Sequence, residues 1–178
     1  MASTRELILD NAFELFYTNG YSATGISDIL KACNLHKGSL YYLFKSKKEL
    51  ALAVIEERIN RRFVNKFSII ETSEQPLHTL FEILRDRDDF DFNRGCALNN
   101  FVQELSNIDE DFKEVLENVY VNLQSYYEAA LRLEKNPQEH KLKAQFLLSV
   151  VEGALVSSKV AQDKKPYFEV IDMLEKNV

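Results

Sequence analysis

Lys37-Gly-Ser-Leu-Tyr-Tyr-Leu-Phe-Lys-Ser-Lys47 is the stretch on which the fold turns. Leu40, Leu43 and Phe44 share one face of a short helix, about Lys37 to Leu43. Upstream, Asn34 tolerates the left-handed conformation of a tight turn. Before it, Ile26, Ile29, Leu30 and Cys33 repeat at helical spacing behind Thr24, the expected N-cap. Earlier still, Ile8, Ala12, Leu15 and Phe16 mark a first helix that starts near Ser3 or Thr4 and ends at Gly20. Downstream, Ser46 and Glu49 form a capping-box pair. Behind them Leu52, Ile55, Ile59, Phe63, Phe67 and Ile70 keep helical spacing with no Gly or Pro between. Three short helices and the start of a long one therefore fill the first fifty residues.

The remainder continues in the same way. Pro76 suits the first turn of a fifth helix, to about Arg87, and Asp86 to Asn93 reads as an acidic loop. A sixth helix is expected from about Arg94 to Ser106 and a seventh from Asp109 to about Glu134. Pro137 and Pro166 mark the starts of an eighth, to about Gln162, and a ninth, to about Lys176. The chain has only 5 Gly and 3 Pro in 178 residues, against roughly 12% of the two in ordinary proteins. So few turn residues exclude β-sandwiches, barrels and linker-rich chains. The fold class is all-α, with nine helices. A boundary near Ser46 divides residues 1–46, a small helical head, from 47–178, a larger helical body.

The whole chain carries a net charge of −6, which speaks against a simple polyanion binder. The distribution reverses that for one segment. The first fifty residues sum to +1 and the rest to −7, and Lys31 to Lys48 holds five lysines and no acid. Tyr41 and Tyr42 lie among them. A basic, aromatic-bearing short helix, preceded by a helix and a tight turn, has the layout of a helix-turn-helix DNA reader. Lysines attract phosphates, and small residues at the helix start allow close approach to bases.

The run Ile8-Leu-Asp-Asn-Ala-Phe-Glu-Leu-Phe16, with Gly20-Tyr21, Ala23-Thr24, Asp28-Ile29 and Lys37 to Lys47, resembles the N-terminal domain of TetR-type transcriptional regulators. The resemblance covers most of the first fifty residues, and the nine-helix count and total length agree with it. It implies that Thr24 holds a phosphate and that His36, Lys37, Gly38 and Ser39 approach bases in the major groove. It further implies that Tyr41 and Tyr42 touch the backbone or a thymine methyl, and that Lys47 holds a second phosphate. Gly25, Leu30, Cys33-Asn34 and Leu43 depart from the usual pattern, which leaves the base preference open.

For the body, the resemblance implies a homodimer and a ligand cavity. Ser149, Gly153 and Ser157 make a stripe of small residues on the eighth helix, and Phe168, Ile171 and Leu174 are apolar anchors on the ninth. These six are the expected dimer interface, which doubles the head for a palindromic operator. Phe63, Phe67, Phe81, Phe101, Tyr120, Tyr126, Tyr127 and Phe146, with Cys96, are the expected lining for a small apolar or electrophilic effector. A ligand between the fourth and seventh helices would pivot the fourth and so shift the two heads.

Arg94-Gly-Cys96 stands at the start of the sixth helix, where a helix N-terminus and Arg94 favour thiolate. Gly95-Cys96, Asn99 to Ser106, Gly153-Ala154 and Ser158-Lys159-Val160 are similar to a branch of the family, some of whose members respond to electrophiles or small unsaturated compounds. That resemblance implies a thiol switch at Cys96 with Lys159 nearby. Cys33 reads as structural. His78 and Glu82, one turn apart, read as exposed polar residues, and no metal site or cofactor is expected. No catalytic motif gives an enzyme a residue to work with. No apolar run of 18 residues and no secretory leader is present, so no membrane is expected and the compartment is the cytoplasm. The alternative to a ligand-released repressor is an architectural DNA-binding protein with a filled body.

Overall fold

The structure is a computed structural model that describes residues 3–88, 90–134, 136 and 139–178. Among the described residues the chain is helical, with no strand. α1 spans Thr4–Asn19, α2 Ile26–Cys33 and α3 Lys37–Leu43. α4 begins as Lys47–Val54 and runs on through a π-helical turn, Ile55–Asn60, an α segment, Arg61–Phe67, and a 3-10 turn, Ser68–Thr72. α5 is Pro76–Arg85, α6 Ala97–Leu105, α7 Glu110–Ala130, α8 His140–Ala161 and α9 Lys165–Asn177. Among the described residues nine helices result, in the expected order. Pro137, expected to open α8, lies outside the described residues.

Local chemistry sets several of these ends. Ser3 caps α1 by accepting from the Glu6 N–H, and Ser46 caps α4 by accepting from the Glu49 N–H at 3.0 Å. The Glu49 carboxylate reaches back to the Lys45 N–H, one residue before the expected Ser46. Asn34 adopts the left-handed conformation after α2, with φ 52°. Gln162 does the same after α8, with φ 54°.

The helices form two compact units. One takes the chain up to Arg62 together with Ala97–Val119, and the other holds Phe63–Cys96 and Tyr120–Val178. The head unit therefore extends past the boundary expected at Ser46. The reason is its core, because Ile8, Leu9, Ala12 and Phe16 of α1 need cover that α2 and α3 alone do not supply. Leu50, Ala51, Val54 and Ile55 of α4 complete it, with Ile29, Leu40 and Phe44. Each large apolar side chain buried this way contributes about 1.5–3 kcal/mol. Arg5–Glu57 and Arg58–Glu6 pin α4 to α1, but half-exposed ion pairs contribute only about 1 kcal/mol or less. Burial stabilises the head, and the ion pairs set the register.

The second unit has its own core of Phe67, Ile70, Leu80, Phe81, Leu84, Tyr127, Leu148, Val151, Tyr167 and Ile171. The α8–α9 hairpin is tied by the buried Ser158 hydroxyl, which accepts from the Tyr167 N–H at 2.9 Å. Among the described residues α8 is long and apolar enough to cross a membrane by length and composition. Ala144, Leu147, Leu148, Val151, Ala154 and Leu155 are buried along it. Core packing therefore accounts for one of its apolar faces.

Candidate nucleic-acid interface

The turn between α2 and α3 is built by backbone bonds. After Asn34, the Leu35 N–H donates to the Leu30 carbonyl at 3.0 Å. His36 is extended and opens α3 without a side-chain cap. Leu40 and Phe44 are buried, so α3 is anchored on its inner face. His36, Lys37, Gly38, Tyr41 and Tyr42 are thereby left exposed, and Ser39 half-buried. Tyr42 is 89% exposed, and the Lys37 ammonium sits 5.5 Å from the Tyr41 ring centre. Six of the expected DNA-contacting residues thus share one short segment.

Gly38 is informative. A Cβ added there would meet nothing within 4 Å, and its φ is not positive. Neither the fold nor the backbone asks for glycine, and glycine costs a helix stability relative to alanine. A close approach from outside the chain is what a bare Cα permits.

Thr24 needs correcting. It is not the N-cap of α2, which is Gly25. Its side chain is 2% exposed and its hydroxyl bonds to the Gly20 carbonyl at 2.8 Å, with Leu15 O at 3.2 Å. A hydroxyl spent on closing the end of α1 is not available to a phosphate.

Lys47 is half-buried. Its ammonium lies 4.1 Å from the Tyr21 ring centre, and burial pushes its pKa down against the pull of Glu104. Lys48 is engaged by Asp109 at 2.8 Å and Asp111 at 2.6 Å. Glu104 also accepts from the Tyr21 and Ser22 N–H groups, at 2.8 and 2.7 Å. Partial burial pushes the Glu104 carboxyl up, but these N–H donors, the Ser22 hydroxyl and Lys47 hold it below the usual range. Acids of α6 and the α6–α7 region thus restrain part of the basic segment. Sequence periodicity could not have found Glu104, Asp109 and Asp111, because their partners lie more than fifty residues away. Lys31, Lys37 and Lys45 remain exposed. Cys33 is buried, with its Sγ 3.7 Å from the Leu7 carbonyl and its pKa raised by burial, as a structural thiol should be.

In the second unit, Phe67, Phe81, Cys96 and Tyr127 are buried, and Phe63 and Tyr120 half-buried. Phe67 packs on Phe63, Tyr126 and Tyr127, with ring centres 6.1–6.2 Å apart. Two expected lining residues are corrected. Phe146 is 57% exposed, on the outer side of α8. Phe101 lies in the head unit, edge-on to Phe16. The structure adds Arg87 and Tyr167, which hydrogen-bond at 3.0 Å. Arg87 sits in the acidic run read as a loop, where no spacing marks it. Gly95 is held at φ +75° with the Lys159 stem against it, so Lys159 does lie beside the residue next to Cys96. His78 and Glu82 are exposed, 3.6 Å apart.

The expected dimer residues divide. Ser149, Gly153 and Ser157 are exposed and Phe168 is half-buried. Ile171 and Leu174 are buried within the chain, where they hold α9 to its own unit, and cannot serve a partner. The exposed apolar residues nearby are Leu142, Phe146, Val156 and Val160 of α8 and Met173 of α9.

Comparison with known proteins follows the same division. The profile for bacterial regulatory proteins of the tetR family matches residues 8–54, and that for the LmrA/YxaF-like transcriptional regulator C-terminal domain matches residues 69–173. An uncharacterised HTH-type regulator in the lacX 3′ region of Lactococcus lactis is 34% identical, over 98% of this chain and 93% of that protein. The negative transcriptional regulator IcaR of the Staphylococcus aureus icaADBC biofilm operon is 30% identical, over 78% and 72%. In fold, a TetR transcriptional regulator from Legionella pneumophila superposes with a TM-score of 0.89 at 20% identity, over 100% and 98% of the two chains. The reduced form of Escherichia coli NemR gives 0.83 at 21%, over 97% and 95%. The chain belongs to the TetR family: it is a helix-turn-helix, DNA-binding transcriptional regulator.

Proposed function

We infer that this regulator is a homodimeric repressor that leaves a palindromic operator when a small apolar or electrophilic effector engages the body, or when Cys96 is modified. On this reading residues 1–46 read DNA and 47–178 bind the effector and dimerise, in the cytoplasm. The observation that carries the DNA reading is Gly38, a glycine at the start of α3 with open space where a Cβ would be. It supports close contact with base edges by His36, Lys37 and Ser39, with Tyr41 and Tyr42 beside them. Repression is supported by IcaR, a negative regulator by name.

Dimerisation is supported by α8. A Cβ on Gly153 would also meet nothing within 4 Å, and Ser149 and Ser157 flank it on an exposed face. Val156 and Val160, the latter 82% exposed, extend that face with apolar surface. Such a strip lets a second helix approach closely and bury what one chain leaves in water.

The thiol route is supported by the position of Cys96, directly before α6, with the Lys159 stem against Gly95. An unsaturated electrophile would form an S–C bond with the thiolate, and its carbanion would take a proton from solvent.

The test is fluorescence anisotropy of a labelled duplex from upstream of the gene, with and without a mild electrophile, for wild type and Cys96→Ala. Selective binding that the electrophile reverses only in wild type is expected. Absence of sequence-selective binding overturns the repressor reading. Equal release of both proteins removes Cys96 and leaves the repressor. Sedimentation of Gly153→Leu tests the dimer: a monomer with much weaker DNA binding is expected, and an unchanged dimer places the interface elsewhere.

A further inference from the structure

Just past α5, Arg87 brings a guanidinium to the edge of the second unit's core. Its Nε donates to the Tyr167 hydroxyl at 3.0 Å, and that hydroxyl donates onward to the Leu84 carbonyl at 2.8 Å. Its guanidinium carbon lies 5.1 Å from the centre of the Phe90 ring and 5.3 Å from that of Tyr167. These contacts fix the plane of the guanidinium and use one of its five N–H donors. Among the described residues, the two terminal nitrogens meet no acceptor, and Arg87 makes no ion pair.

Among the described residues Arg62 also makes no ion pair, but it is exposed to water, whereas Arg87 is half-buried. Arg5, Arg58, Arg85 and Arg94 each pair with a carboxylate. Arg132 spends its donors on the Ile70, Ser73 and Ala129 carbonyls. Arg87 is half-buried and aromatic-flanked, where a charge without a counter-ion is least favourable. Its surroundings supply phenols instead. Tyr167 and Tyr127 are both buried, and burial raises both pKa values, so they stay protonated. The Glu152 charge pushes both phenol pKa values up further. A fixed guanidinium whose two terminal nitrogens have no acceptor among the described residues matches a planar carboxylate, which accepts two parallel N–H bonds.

We propose that the second unit is a receptor for a small carboxylic acid, whose carboxylate takes the two terminal nitrogens of Arg87 and whose apolar remainder lies against Phe90 and Tyr167. This rests on the effector-binding reading above and gives that effector a chemical class. Neutral analogues of the same shape lack the second oxygen anion and are refused. A lysine at 87 would keep the charge and lose the fork.

The test uses the full chain and matched pairs of probes: benzoate against benzamide, and hexanoate against hexanamide. Binding is read by the melting temperature and by calorimetry at pH 7. The acids should raise the melting temperature and bind at least tenfold more tightly than their amides. Arg87→Lys should lose at least tenfold in acid binding, and Arg87→Gln should lose it altogether. Circular dichroism without ligand checks that each variant folds. The acid–amide comparison on wild type decides the matter even if Arg87→Gln does not fold. Equal binding of acid and amide, or wild-type acid affinity in a folded Arg87→Gln, overturns the carboxylate and leaves the effector reading standing. If neither acid nor amide binds, the proposal fails. If the electrophile also leaves DNA binding untouched, the effector reading fails with it.

Discussion

Gly38 separates stability from function at a single position. Its Cα faces open space, so a methyl group added there strains nothing in the free protein. Gly38→Ala should therefore stabilise the fold by about 0.5–1 kcal/mol, through the lower entropy of the unfolded chain and better helix propensity. On the proposed reading the same methyl group would occupy the space that a base edge needs, so operator affinity should fall at least tenfold. Melting temperature and anisotropy on the same preparation check both halves. A variant that is more stable and binds as well as wild type would move the reading surface away from the start of α3. Lys48 makes the complementary case. Two aspartates hold its ammonium, so Lys48→Ala should change DNA affinity less than Lys37→Ala does. Asp109→Asn with Asp111→Asn should tighten binding at low salt by freeing a cation.

At the scale of elements, Glu104 of α6 fastens the α1–α2 turn through the Tyr21 and Ser22 N–H groups. Its folded pKa lies below the unfolded value of about 4.3. The stabilisation is therefore complete above the unfolded pKa and is lost as pH falls through the folded one. A melting curve followed by circular dichroism should drop between roughly pH 5 and pH 3, within the range where carboxylates titrate. Glu104→Gln should start lower at pH 7 and fall less steeply through that window. Parallel curves for the two proteins would show that Glu104 contributes nothing to acid unfolding. The helices themselves were legible because their signals are local: Ser46 at a cap, Asn34 in a left-handed turn, Pro76 in a first turn. What was not legible depended on the partner. Thr24 could face solvent or the carbonyls that close α1, and only the position of α1 decides between them. α8 is apolar on more than one face, so periodicity could not sort Leu148 and Val151, which are buried, from Phe146 and Val160, which are not. On α9 a one-residue step separates buried Leu174 from exposed Met173. Arg87 lay in a charge run, and a charge run carries no period.

For the whole molecule, a net charge of −6 means that contact with DNA depends on few cations. Each head presents Lys31, Lys37 and Lys45 to solvent, while Lys47 leans on Tyr21 and Lys48 on its aspartates. The acidic remainder, at −7, repels the duplex, so on the proposed reading contact is limited to the heads. Each neutralised phosphate contributes roughly −0.9 to the slope of log affinity against log salt. If the proposed dimer engages only the three exposed lysines of each head, the slope should be about −5. Releasing Lys48 with the double Asp109→Asn, Asp111→Asn substitution should steepen it to about −7. If DNA instead draws Lys47 and Lys48 out of their internal contacts, wild type should already show about −9. The double substitution would then raise affinity without changing the slope. A salt titration of both proteins on one operator distinguishes the two. It decides whether the acids of α6 and the α6–α7 region withhold cations from DNA or merely store them until DNA arrives.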